Sequence, residues 1–146
     1  MNQYLKFPEI RWADLDPNFH VRHSVYYDWA AYSRICFLEE HGLTPLVFAQ
    51  HNFGPILFRE ECSFRKELHF SDTISIDLQL LKARTDFSRW SIRHTIYKNK
   101  ETVAATITVD GAWIDTQKRK LAMPPAMVTE VFNAMPQTTD FEWINK

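Results

Sequence analysis

The segment Val25–Leu38, VYYDWAAYSRICFL, constrains this chain more than any other. Only Asp28, Ser33 and Arg34 are polar within it, so apolar side chains run almost all round the helix it predicts. Such a helix must be buried on most of its sides. Ser24 stands at its N-cap position, and Gly42 stands where it should stop after Glu39–His41. The remaining residues therefore have to supply an enclosure.

They have the pattern for it. From Gly54 the period changes to two. Ile56, Phe58, Cys62 and Phe64 share a face, with Glu60 intruding on it. Ile74, Ile76, Leu78 and Leu80 alternate with polar residues, as do Trp90, Ile92, His94 and Ile96, and Val103, Ala105, Ile107, Val109 and Trp113 share a further face. This alternation predicts half-buried antiparallel strands. Residues 67–72, 84–87 and 98–101 have the length of hairpin-type turns. Ile10 and Trp12 predict a short strand over Phe7–Trp12, and 45–53 reads as a loop with at most a helical turn. Pro124-Pro125 opens a short amphipathic helix ending near Met135, and 136–146 reads as a loose tail. The expected architecture is one α+β domain over 1–146. It has a five-stranded antiparallel sheet wrapped around one long central helix, with a short C-terminal helix.

Composition narrows the function. The chain has 146 residues, 45% hydrophobic and 14% aromatic, which is enough for a sizeable single core. A net charge of −1 argues against a general nucleic-acid binder, and three glycines with no phosphate-loop fingerprint argue against a nucleotide cradle. Cys36 and Cys62 read as small buried hydrophobes rather than a disulfide framework. No apolar signal core opens the sequence and no run is long enough to span a bilayer, so a soluble cytoplasmic protein with no membrane insertion is the expectation.

The loop entering the long helix is richer than a helix entrance requires. WADLDPNFHVRH carries Asp14, Asp16, Asn18, His20 and His23 around Pro17. Taken singly, the acidic residues read as turn and cap residues. His20 and His23 lack the i, i+4 spacing of a helical zinc motif, so no metal site is expected.

The stretch DPNFHVRHSVY nevertheless resembles the hotdog-fold acyl-CoA thioesterases of the 4-hydroxybenzoyl-CoA thioesterase type. Asp16, His20-Val21 and Tyr26 match that family's Asp, its His-Val pair four residues on, and its helix tyrosine. Phe19 departs from the small or polar residue frequent in the family, and Arg22-His23 stand where many relatives have Asn-Asn. The resemblance covers about residues 7–135 and implies an acyl-CoA thioesterase that hydrolyses a fatty or aromatic acyl-CoA to the free acid and CoA and needs no cofactor. Asp16 would be nucleophile or general base. The backbone N–H of His23 would stabilise the oxyanion, and His20 would orient Asp16 or simply fill space. Phe19, Tyr26 and Trp29 are candidates for the acyl pocket, although core packing is the ordinary role of such aromatics. Arg84 and Arg89 are candidates for the phosphates of CoA, with Lys82 and the Lys118–Lys120 turn as further basic groups. Glu60 reads as a catalytic helper or, the reading favoured, as a structural partner for an arginine across a subunit boundary. The resemblance further implies a homodimer or tetramer. An acyl-carrier-protein thioesterase, or a non-catalytic protein that binds acyl thioesters, are the alternatives.

Overall fold

The computed structural model describes residues 3–144. In chain order its elements are β1 (Leu5–Lys6), a 3-10 turn (Trp12–Asp14), α1 (His23–Glu40), α2 (Pro45–His51), β2 (Phe53–Phe64), β3 (Ile74–Asp77), β4 (Gln79–Ala83), β5 (Arg89–Lys98), β6 (Thr102–Asp115), β7 (Lys120–Leu121), α3 (Ala126–Asn133) and β8 (Gln137–Trp143). Among these no helix is long and apolar enough to cross a membrane.

The long lanes of the sheet run β2, β6, β5, and then β3 continued by β4, all antiparallel. Leu78 interrupts what is otherwise one strand. A fifth lane is shared by β1, which pairs with β3, and β8, which pairs with β4. β7 is a stub on the end of β6. The eight strand segments thus occupy five lanes, and the α+β hotdog arrangement is present. Ile76, Leu80, Ile96, Ile107 and Val109 of the sheet are fully buried, in one core with Val25, Tyr26, Trp29, Ala30 and Phe37 of α1.

Several expectations are corrected. The first strand is Leu5–Lys6 rather than Phe7–Trp12, where Pro8 has no N–H for a ladder and the chain ends in the 3-10 turn. Ser24 does not cap α1: the helix starts two residues earlier, at His23 with Arg22 in the cap position, and Ser24 Oγ accepts a bond from Arg22 Nε at 3.1 Å. Residues 45–51 form a true helix, capped by Thr44 Oγ1 accepting from Val47 N–H at 3.2 Å. The expected loose tail is largely the strand β8, running parallel to β4. Leu80 N–H donates to Pro136 O at 2.7 Å and Ile144 N–H to Ala83 O at 2.8 Å. Gln137–Asp140 is polar throughout and gives no alternation. The strand forms because the outer edge of β4 otherwise lacks partners. Residues 145 and 146 of that stretch lie outside the described residues.

β2 carries a bulge at Phe58, since Leu57 faces Gly111 of β6 and Arg59 faces its next residue, Asp110. Phe53, Pro55 and Leu57 point toward α1 before the bulge, and Glu60, Cys62 and Phe64 do so after it. The single face expected for Ile56, Phe58, Cys62 and Phe64 is therefore split. The enclosure of α1 is also one-sided within one chain: Ile35 is 40% exposed beside the edge of β2 that has no strand partner among the described residues, and Tyr32, 48% exposed, lies by Phe7 and Pro8.

Gly111 is a position of close approach, because a Cβ there would overlap the ring of Trp90 on β5. Gly111→Ala should destabilise by about 1–3 kcal/mol, seen as a lower urea midpoint at unchanged slope.

His94 of β5 is fully buried, with Nδ1 2.8 Å from Asp77 O and Nε2 3.1 Å from Arg34 Nη1. A guanidinium only donates, so Nε2 accepts and Nδ1 carries the proton. Burial, reinforced by the Arg34 charge, pushes this imidazole from 6.5 down to about 3. Burial also pushes Asp77 from 3.8 up to about 6, against the bond it accepts from Thr95 N–H. As pH falls from 6.5 toward 3, the unfolded chain protonates at His94 first and stability is lost. As pH falls from 6 toward 3.8, the folded chain protonates at Asp77 first and stability is gained. The two oppose each other between about pH 6 and pH 4. Asp77→Asn removes the gain, so Tm should fall more steeply with acid in the variant than in the wild type across that range.

Candidate active site

The loop before α1 is closed by a bridge between Leu15 and Val21. Asp16 N–H donates to His20 O at 2.8 Å, and Phe19 N–H to Asp16 O at 2.9 Å. Asp16 Oδ1 accepts from the N–H groups of Asn18 at 2.9 Å and His20 at 3.0 Å. One carboxylate oxygen is thus a turn-forming group of the ordinary kind. The other, Oδ2, has no hydrogen bond among the described residues. Phe19 takes the left-handed φ of 64°, unusual for a bulky residue, and points outward near Trp12.

Asp14 has a different job. It is buried, and its carboxylate takes Arg11 N–H at 2.9 Å and Arg11 Nη2 at 2.7 Å. Burial alone would raise its pKa, but the Arg11 bonds and charge outweigh that and hold it low. Arg22 adds a bond from Nη1 to Ala13 O. These contacts fix both ends of the loop against the start of α1.

The N–H groups of His23 and Ser24 open α1 and donate to no acceptor among the described residues. They face the end of the helix where partial positive charge accumulates. A pocket of about 330 Å³ brings Asp16, His20, His23, Tyr26, Arg65 and Lys66 together. Tyr26 is buried against Phe64, with ring centroids 4.9 Å apart, and burial pushes its hydroxyl up to about 12.

Not every candidate arrives there. Phe19 and Trp29 do not line this pocket; Trp29 packs on Tyr26 at 5.8 Å and faces a separate groove beside Phe7 and Asp28. Arg84 and Arg89 close the β4–β5 hairpin, and Arg89 covers the ring of Phe58 at 4.8 Å on the far side of the sheet. The basic groups at the pocket are instead Arg65 and Lys66. Their signal was the pair itself, placed directly after a strand in SFRKEL. Glu60 meets an arginine of its own chain: Arg34 Nη2 lies 3.9 Å from Glu60 Oε2.

It is the backbone of His20 that holds Asp16, while its ring lies 3.5 Å from Glu67 Oε1 and edge-on to His69. His20, Glu67 and His69 each bring one potential ligand atom within 4.8 Å of the others. Arg65 and Lys66 adjoin this cluster in sequence, and Lys98 Nζ is 3.5 Å from Asp72, itself beside His69.

A second, apolar cavity of about 190 Å³ lies between α1, β2 and α3, lined by Arg34, Leu57, Trp90, Ile92, Phe132 and Met135 among others. It shares no lining residue with the Asp16 pocket. Ser24 and Arg34 are separated by about 15 Å of helix. Within one chain, then, the carboxylate and the apolar cavity stand at opposite ends of α1.

No curated protein matches the chain in sequence. Solved structures share its fold at low identity. A hypothetical protein from Staphylococcus aureus in complex with CoA is 18% identical with a TM-score of 0.83, covering 94% of this chain and 89% of that one. A 1,4-dihydroxy-2-naphthoyl-CoA thioesterase from Synechocystis is 16% identical with a TM-score of 0.81, covering 91% and 97%. A thioesterase complexed with coenzyme A and Zn from Thermus thermophilus is 19% identical with a TM-score of 0.74, covering 89% and 91%. The model of the thioesterase-like superfamily matches residues 10–132, which span the loop, α1 and strands β2 to β7. On that match the chain belongs to the thioesterase-like superfamily, and the enzyme class that goes with it is thioester hydrolase.

Proposed function

We propose that this chain hydrolyses acyl-CoA thioesters to a free acid and CoA at the Asp16 pocket. The observation that carries the proposal is the free oxygen of Asp16 in one pocket with the unpaired N–H groups that open α1. A thioester carbonyl seated there receives a hydrogen bond from His23 N–H as its oxygen becomes an oxyanion, commonly worth ~2.7–4 kcal/mol in the transition state. Asp16 Oδ2 either attacks the carbonyl carbon, expelling the CoA thiolate to leave a mixed anhydride that water then hydrolyses to the acid and free Asp16, or takes the proton from a water that attacks the carbonyl directly and expels the thiolate. Arg65 and Lys66 are placed for the phosphates of CoA. CoA in the relatives from S. aureus and T. thermophilus supports a CoA ester over a carrier-protein ester.

The working unit in this proposal is a pair of copies. β2 is 12 residues long and unpaired on its outer edge among the described residues, and the exposed Ile35 of α1 lies beside its Pro55 and Leu57. Pro55 and Leu57 near its start line the apolar cavity, while Phe64 at its end lines the Asp16 pocket. Antiparallel pairing of two β2 edges sets the start of one against the end of the other. The Asp16 pocket of each copy then opens toward the apolar cavity of its partner, which supplies the acyl site that a single chain lacks.

Two measurements test this. Asp16→Asn keeps an acceptor oxygen for Asn18 and His20 but removes the charge, so thiol release from acyl-CoAs should fall about a hundredfold or more with Tm held. Asp16→Ala should lose that activity and also about 1–3 kcal/mol of stability. Equal activity in wild type and Asp16→Asn would reduce Asp16 to a turn residue. Replacing Arg65 and Lys66 together by Ala should raise KM for an acyl-CoA roughly tenfold, and leave the corresponding acyl-pantetheine, which lacks the nucleotide phosphates, little changed.

A further inference from the structure

The apolar cavity contains a charge that its own walls do not balance. Arg34 sits midway along α1 with its side chain 13% exposed. Its guanidinium makes one hydrogen bond among the described residues, from Nη1 to His94 Nε2 at 3.1 Å. Glu60 Oε2, at 3.9 Å, is beyond hydrogen-bond reach, and that carboxylate is 33% exposed and screened by water. A guanidinium has five N–H donors and does not shed its charge; among the described residues only Nη1 meets an acceptor, which leaves the other donors to the water or ligand that reaches the cavity. No lining residue contributes an acidic or oxygen-bearing side chain. The rest of the wall, such as Leu57, Leu78, Ile92 and Phe132, is hydrocarbon.

An apolar chamber with donors and no oxygen acceptors is built for a ligand that is mostly hydrocarbon and ends in accepting oxygen. A neutral hydroxyl would satisfy one donor and leave the charge unbalanced. A carboxylate takes the planar fork of a guanidinium with two oxygens and neutralises it. Resting on the thioesterase function proposed above, we infer that the cavity receives the far end of an acyl group that terminates in a carboxylate, held by Arg34. The substrate class is then the mono-thioester of a short dicarboxylic acid. Size agrees: a cavity of about 150 Å³ holds benzene, so about 190 Å³ accommodates roughly six carbons with a terminal carboxylate.

Adipoyl-CoA and hexanoyl-CoA have the same chain length and differ in a terminal carboxylate against a methyl group. The wild type should show kcat/KM at least about tenfold higher for adipoyl-CoA. Arg34→Lys keeps the charge without the fork and should reduce that ratio. Arg34→Met should bring it to one or below. Equal turnover of the two esters by the wild type, or a preference for hexanoyl-CoA, overturns the inference while leaving the thioesterase function standing. A ratio unchanged in both variants also overturns it and leaves Arg34 as a structural partner of Glu60 and His94. If neither ester is hydrolysed, it is the thioesterase function that has failed, and calorimetric binding of the two esters to the wild type decides: tighter adipoyl-CoA sustains the inference, and equal affinity ends it. Should Arg34→Met not fold, the wild-type ratio and Arg34→Lys suffice.

Discussion

Everything in this fold answers to one requirement, that α1 be taken out of water on nearly all sides. Its apolar residues follow no single stripe, so packing it on a flat surface would leave hydrocarbon exposed. A five-lane sheet curled around it covers Val25, Tyr26, Trp29, Ala30 and Phe37. Once α1 is fixed in that way, its first turn has to emerge at the rim of the sheet. There its unpaired N–H groups meet the loop that carries Asp16. The location of the candidate chemistry is thus a by-product of burying the helix.

The same requirement explains what one chain leaves unfinished. Ile35 belongs to the apolar circumference of α1 and remains exposed next to a long strand edge without a partner among the described residues. In the proposed pair, one contact would cover that apolar side, satisfy the edge and join each carboxylate to an acyl cavity. Polar groups inside the core follow a stricter logic. His94 is held neutral between Asp77 O and Arg34, and Arg34 keeps a charge that the surrounding hydrocarbon does not match.

The fold was legible because its signals are periodic. Alternation marked the lanes of β3 to β6, and the apolar helix implied the wrapping. What escaped was held by backbone demand rather than by side-chain pattern. β8 is polar along most of its length and exists because β4 had an open edge. The start of α1 moved off Ser24 because Arg22 bonds both Ser24 and Ala13. At the candidate site, Asp16, His20, His23 and Tyr26 are close in sequence and gather in one pocket. Arg65 and Lys66 reach it from the end of β2, a proximity created only by folding. Arg84 and Arg89 had the right charge and the wrong end of the sheet. Within the pocket, residue type could not say that one oxygen of Asp16 is already committed to the loop and the other is free.

The bulge at Phe58 has a bearing on how this strand compares with others. One extra residue is half a period of a strand, so it exchanges inside for outside from that point on. β2 is in effect two short strands of opposite parity spliced end to end. Its odd-numbered first half faces the apolar cavity, and its even-numbered second half faces Tyr26 and the Asp16 pocket. A residue-by-residue alignment that runs through Phe58 without a gap would pair surface positions with lining positions in a relative that lacks the bulge. Grafting β2 between such proteins would therefore exchange one lining intact only if the junction fell at the bulge itself.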